Sequence, residues 1–309
     1  MICPLRNVIA LSHNSPNRLR KPKGSDAMTM NEAAVAGFSA LITDPSIRLG
    51  VLGRIGQLEA RLARDEDEIA AAQEIRYRVF FGSNPGADPA GRDIDRFDDI
   101  CDHLLVFDQS LPGTERERIV GTYRLLRQET ARTHGGFYTS GEFELDRLVA
   151  RHPDRNFLEL GRSCVLPAWR TKRTIEVLWQ GIWAYCHMHG IDVMTGCASF
   201  PGTSPAEHAK ALSFLFHHCR AKGEWATAPL PDRRSRMNFL SAGSVDARAA
   251  LAAMPPLVKG YMRLGAMFGD GCVIDDEFGS VDVLVILPVE AISSRALAHF
   301  GIDTDRCAA

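Results

Sequence analysis

No stretch of this 309-residue chain approaches the ~18 consecutive apolar residues of a membrane-spanning helix, so none is expected. No C-x-x-C motif occurs. The eight cysteines, at 3, 101, 164, 186, 197, 219, 272 and 307, are scattered, with no zinc-type Cys/His spacing. Reduced thiols in a cytoplasmic protein are the expectation. Net charge is also nearly missing: the formal value is −2. Nothing global therefore attracts nucleic acid, and any electrostatic partner site must be local. The first residues, MICPLRNVIALSHNSPNRLRKPKG, put an apolar piece before the basic one. A signal peptide has the reverse order. Residues 1–45 are expected to be a disordered leader and linker, and 46–309 a single domain. No internal repeat is found.

What is present is ordinary globular material, 45% hydrophobic and 24% charged. QLEARLA (57–63) alternates like a strand, and EIAAAQEIRYRVFF (68–81) reads as a helix behind an acidic first turn. Residues 82–102 are rich in Gly, Pro and Asp and predict a long loop, of the kind that carries function. Strands follow at 103–108 and 118–126, joined as a hairpin. A glycine-bearing loop leads to 143–148. A strand is expected at 157–166, a helix at 174–189 stopped by Gly190, a strand at 192–198, a helix at 208–222 and a last strand at 281–287. Helices interleaved with a mixed sheet give an α/β or α+β domain.

Four places carry charge that does not look like ordinary surface. Arg76 and Phe80 share a helix face; spacing alone favours a solvated arginine and a core phenylalanine. Asp93, Asp95, Asp98 and Asp99 cluster in the long loop without calcium-hand spacing. They suit either solvent or a cation such as an ammonium group. Arg124 interrupts an apolar strand, GTYRLL; if it points inward it must be paired. In ELGRSCVLPAWRTKRT, Glu159 and Arg162 are three apart, which on an ideal strand puts them on opposite faces. A bulge near Gly161 would change that. The cations Arg170, Lys172 and Arg173 then precede a helix N-terminus, a natural phosphate site.

IRYRVF, DRFDDICDHLLV, GTYRLL, ELGRSCV, LWQGIWAY and GCASFPGTSP, in this order, resemble the acyl-carrier-protein-dependent N-acyltransferases of the GNAT superfamily, nearest their ornithine-lipid branch. The resemblance spans roughly 58–287. The acyl-homoserine lactone synthases share the skeleton more distantly, through Arg76 and Phe80, Asp95 and Asp98, Arg124, and Glu159 with Arg162. Two departures matter. Arg170-Thr-Lys-Arg-Thr-Ile lacks the glycines of the usual GNAT phosphate loop, so the close backbone approach glycine permits is lost. No Trp soon follows Phe80, unlike in the lactone synthases.

The resemblance implies a GNAT-like fold, a central mixed, mostly antiparallel sheet flanked by helices. It implies transfer of a (3-hydroxy)fatty acyl group from acyl carrier protein to the α-amine of L-ornithine. Glu159 would be the general base, with Arg162 beside it. Arg76, Phe80, Asp95, Asp98 and Arg124 would shape the substrate site. Arg170, Lys172 and Arg173 would meet the phosphopantetheine of the carrier, with Arg233, Arg234 and Arg236 as a second basic patch. Phosphopantetheine is a co-substrate; no permanently bound cofactor and no metal are expected, since a thioester is already activated. Partners would be acyl carrier protein and L-ornithine, not nucleic acid, with peripheral contact at the inner membrane because the product is a lipid. Alternatives are a lactone-synthase-like or other amino-acid acyltransferase, and a non-catalytic carrier-binding module. Cys164 and the histidines at 187, 189, 217 and 218 read as structural, and Leu104, Val106, Leu160, Trp179 and Trp183 as core.

Overall fold

The computed structural model describes residues 50–82 and 90–299; the expected leader and part of the long loop lie outside them. One sheet organises the chain. Its strands are β1 (Val51–Ile55), β2 (Leu58–Leu62), β3 (Asp102–Asp108), β4 (Ile119–Arg127), β5 (Phe157–Val165), β6 (Val193–Pro201), β7 (Met267–Phe268), β8 (Val273–Asp275) and β9 (Ser280–Pro288). The order is β1-β2-β3-β4-β5-β6-β9-β7, with β8 also on β9. Every pair is antiparallel except β5–β6. The mixed, mostly antiparallel sheet is the expected one. β1 lies ahead of the first expected strand; at five residues its alternation is too short to register.

Two helices cover the sheet. In α1 (Glu66–Phe80), Asp65 caps the first turn by accepting from the Glu68 amide at 3.0 Å. Ala71, Ala72 and Ile75 of α1 pack on Leu105 and Phe107 of β3 and Ile119 of β4. In α2 (Lys172–Met188), Val177, Leu178 and Ile182 pack with Leu104 and Val106. Successive β3 side chains thus enter different cores, as strand alternation requires. Gly190, at φ 58, takes the left-handed turn that ends α2. The helix expected at 208–222 is instead a 3₁₀ turn, a short α-helix (Ala209–Phe214) and a π turn (Leu215–Cys219). A third helix, α3 (Pro256–Arg263), and the short helix Ala247–Ala253 were not foreseen.

The feature that positions the site lies in the middle of the sheet. β5 and β6 pair only as far as Glu159↔Thr195 and then diverge. Just beyond, Gly196 has φ 146, and a Cβ there would meet the Leu160 carbonyl oxygen at 2.3 Å. Only glycine lets β6 pass the β5 backbone this closely. On the other side of β5, Thr122↔Cys164 and Arg124↔Gly161 enclose Arg162 and Ser163 against a single residue, Tyr123. That is a bulge, and Arg162 is the one non-glycine residue at positive φ, 50°, among the described residues.

Candidate active site

Helix α1 fixes the first group. Arg76 is 0% exposed, so the solvated arginine favoured by spacing is wrong: the 90–101 segment folds over it. Its Nε lies 2.8 Å from Asp93 Oδ2, and its Nη2 lies 2.7 Å from Asp98 Oδ1. Arg124, buried on β4, reaches Asp95 at 2.7 Å and Asp98 at 3.6 Å. Arg162 reaches Asp95 at 3.1 Å and Asp93 at 3.2 Å. Three arginines from three elements thus interlock with three aspartates of the loop. Burial opposes ionisation of Asp95, yet Arg124 and Arg162 hold its carboxyl below the usual range. Asp93, Asp95 and Asp98 are therefore neither a solvated turn nor free for a cation, whereas Asp99 is exposed.

The bulge changes the expected pairing on β5. Glu159 and Arg162 are not joined to each other. The Arg162 guanidinium turns to the aspartates and lies over the rings of Phe278, at 4.4 Å, and Tyr138, at 4.8 Å. Glu159 is buried and accepts two backbone amides, from Tyr138 at 2.8 Å and Thr139 at 2.7 Å. Burial pushes its carboxyl up; the Thr139 and Tyr138 bonds and nearby Arg124 pull the other way.

These groups line a cavity of about 330 Å³ that opens where β5 and β6 part. Glu159, Gly161, Arg162 and Ser163 form one margin, and Cys197 and Ser199 of β6 form another. Phe80, Phe97, Phe278 and Leu257 supply apolar wall. Leu160, expected only as core, also lines it, whereas Leu104, Val106 and Trp179 are core alone. Cys164 is buried, and burial pushes its thiol up to about 12, which leaves a structural cysteine. Asp275 and Asp282 also line the cavity, with Glu142 nearby. Sequence reasoning missed these acids. Asp282 sits in VDVLVIL, an apolar run broken by one carboxylate, the same signal that singled out Arg124.

The basic turn is real but shifted. Thr171 caps α2, accepting from the Thr174 amide at 3.3 Å, so Lys172 and Arg173 occupy the first helical turn rather than precede it. Both are exposed, as is Arg170, whose Nε donates to the Val165 carbonyl at 3.1 Å. No acidic residue lies in that turn. The second basic patch is largely answered by its surroundings. Arg233 faces Glu142 at 3.5 Å, Arg234 faces Asp270 at 3.4 Å, and Arg236 covers the Phe239 ring at 4.6 Å.

Residues 75–180 match the family model of the acetyltransferase (GNAT) domain. The chain is 56% identical over 262 residues to an L-ornithine N(alpha)-acyltransferase of Agrobacterium fabrum, covering 83% of this chain and 89% of that one. It is 39% identical over 242 residues to a protein of the same name from Rhodobacter capsulatus, covering 77% and 92%. A solved N-acyl amino acid synthase from uncultured soil microbes, FeeM, aligns at a TM-score of 0.42 and 12% identity, covering 75% of this chain and 91% of that one.

Proposed function

Because the chain belongs to the L-ornithine N(alpha)-acyltransferase family, enzymes of the GNAT acyltransferase class, we propose that it moves a 3-hydroxyfatty acyl group from acyl carrier protein to the α-amine of L-ornithine, giving lyso-ornithine lipid. The observation that carries this reading is the cleft between β5 and β6, with the buried carboxylate of Glu159 on its margin.

The acceptor is an α-ammonium group that titrates near ~8, so it must lose a proton before attack. Glu159 is the base, acting through a water. Its oxygens already accept the Tyr138 and Thr139 amides and the Thr139 side chain, and a carboxylate offers lone-pair sites beyond these three. The amine nitrogen attacks the thioester carbonyl carbon, the C–S bond breaks, and the thiolate takes up a proton as phosphopantetheine leaves. The tetrahedral oxyanion needs donors. Within the Ser163 to Val165 stretch of β5, Ser163 is the residue that supports that role, since the bulge leaves it without a register partner on β4 and β6 has already diverged, whereas Cys164 and Val165 pair with Thr122 and Gly121. The phosphate of the pantetheine arm lies at the first turn of α2, with Arg170, Lys172 and Arg173.

The thioester is already activated, so no resident metal enters this reading. It places the enzyme in the cytoplasm, with peripheral contact at the inner membrane for product release. Among the described residues no helix is long and apolar enough to cross a membrane. Purified protein given 3-hydroxyacyl carrier protein and ornithine should yield N-acylornithine by mass spectrometry. No acylated product from either this donor or the matching acyl-coenzyme A would sink the proposal.

A further inference from the structure

Arg124 and Arg162, which line the cavity, and Arg76 behind them are all engaged, each with an aspartate within 3.2 Å. A second group of acids meets the same cavity without such matching. Asp282 is the third residue of β9, a strand buried along its whole length. It is only 6% exposed, and its partners are hydroxyls: Ser280 donates to Oδ1 at 2.8 Å, and Ser199 also bonds it. Asp275, 7% exposed, accepts the backbone amides of Glu277 at 2.8 Å and Phe278 at 3.1 Å. Glu142 is buried too; its cation, Arg233, is a half-exposed side chain 3.5 Å away, and the Cys197 thiol donates to it at 3.4 Å. The ligand atoms of Glu142, Cys197 and Asp282 lie within 4.8 Å of one another.

Burial pushes the Asp282 and Glu142 carboxyls up against weak opposition, from the charge of Arg162 on Asp282 and from half-exposed Arg233 on Glu142, so a cation entering the cavity would relieve that cost. A wider cavity of about 680 Å³ is lined by Glu142 and Asp275 and shares Tyr138 and Asp275 with the first. Asp275 thus borders both spaces, Asp282 the cleft between β5 and β6, and Glu142 the wider cavity beside it. We propose that Asp282, supported by Asp275 and Glu142, holds the side-chain ammonium of a dibasic amino acid, so that the α-amine is left for Glu159. This rests on the acyl-transfer reading above and adds the residues that choose the acceptor. It assigns the side-chain ammonium to this wall and not to Asp95 or Asp98, whose charges are matched by arginines.

The test compares ornithine with norvaline, which has the same carbon chain and no side-chain amine. Wild-type enzyme should prefer ornithine strongly in kcat/KM. Asp282→Asn retains the Oδ1 acceptor for Ser280 and removes the charge. It should lower kcat/KM for ornithine by about 30-fold, mainly through KM, and leave norvaline within about twofold. An unchanged ornithine-to-norvaline ratio would overturn the assignment. Asp275→Asn, which keeps the oxygen that caps the 277–278 amides, should narrow the ratio by about fivefold. It decides the matter if the first variant does not fold, an unchanged ratio again overturning the assignment. Stoichiometric Zn²⁺ binding by wild-type protein that is lost in Asp282→Asn would make the cluster a metal site and overturn it also. Wild-type protein that acylates no amino acid at all would instead defeat the acyl-transfer reading.

Discussion

Two groups of buried charge meet at one cavity and are built on different principles. In the Arg76, Arg124 and Arg162 group, every guanidinium has an aspartate. In the Glu142, Asp275 and Asp282 group, hydroxyls, amides and a thiol are the main partners, and the one ion pair is Glu142 with half-exposed Arg233 at 3.5 Å. The matched group ties α1, the 90–101 segment, β4 and β5 together. The unmatched group keeps charge in reserve for a visitor. Buried charge is therefore not one signal: its partners decide whether it holds the fold or recognises a ligand.

The matched group should be the harder to break. Arg76→Met removes one member, leaving Asp93 and Asp98 buried without their closest cation; the expected loss is about 3–5 kcal/mol of unfolding free energy, read by urea denaturation. A loss under ~1 kcal/mol would mean that these ions behave like surface pairs. Next comes Glu159→Gln, which keeps the shape of the side chain and cannot take a proton. Turnover at neutral pH should fall by about 10²–10⁴-fold with the carrier KM little changed. Unchanged turnover would remove Glu159 as base and leave it as the anchor of the Tyr138–Thr139 turn.

Only part of the matched group was legible in the sequence: an arginine inside an apolar strand must be paired if it points inward, which marked Arg124. Its partners did not follow, since the loop aspartates suited solvent or an ammonium group and Arg76 suited solvent. A bulge near Gly161 was one of the possibilities the sequence left open; what could not be read was where it would aim Arg162. A strand of period two puts Glu159 and Arg162 on opposite faces, and one extra residue, with Arg162 at φ 50°, re-aims the arginine at Asp93 and Asp95. The unmatched acids were hidden for another reason. Glu142 lies more than a hundred residues before Asp275 and Asp282, and although Asp282 breaks an apolar run, no basic residue beside it in sequence marks it as half of a pair. Only the sheet order, with β6 beside β9 and β8 on β9, brings them together.

The unmatched group should show itself in pH. Glu142 is pushed up to about 7, by burial first and then by Asp282, with Asp275 adding to this and Cys197 and Arg233 opposing it. Its folded pKa lies above the unfolded ~4.3, so the native state binds the proton more tightly. That contribution is fully present below about pH 4 and is lost as pH rises through about 7. Glu142→Gln escapes the loss. Relative to wild type it should gain on the order of 3 kcal/mol between pH 4.5 and 8, read as unfolding free energy across that range. A pH-independent difference would mean that the wall is already neutralised. Saturating ornithine should narrow the gap at pH 8, because its ammonium supplies the missing charge.

The smallest effect should come from the third set of unmatched charges, at the start of α2. The first turn of α1 holds Glu66, Asp67 and Glu68, as the helix dipole prefers, whereas that of α2 holds Lys172 and Arg173 and no acid. Cations there work against the helix unless an anion sits on the same amides. Lys172 is partly answered by Glu176 at 3.1 Å. Arg173 is exposed, which makes it the cleaner probe. Arg173→Glu should raise Tm slightly, because an acid suits that position, and raise KM for acyl carrier protein about fivefold with the ornithine KM unchanged. The two signs separate the explanations. A cation kept only for solubility would give the rise in Tm alone, while one kept for the phosphate of the carrier must give both.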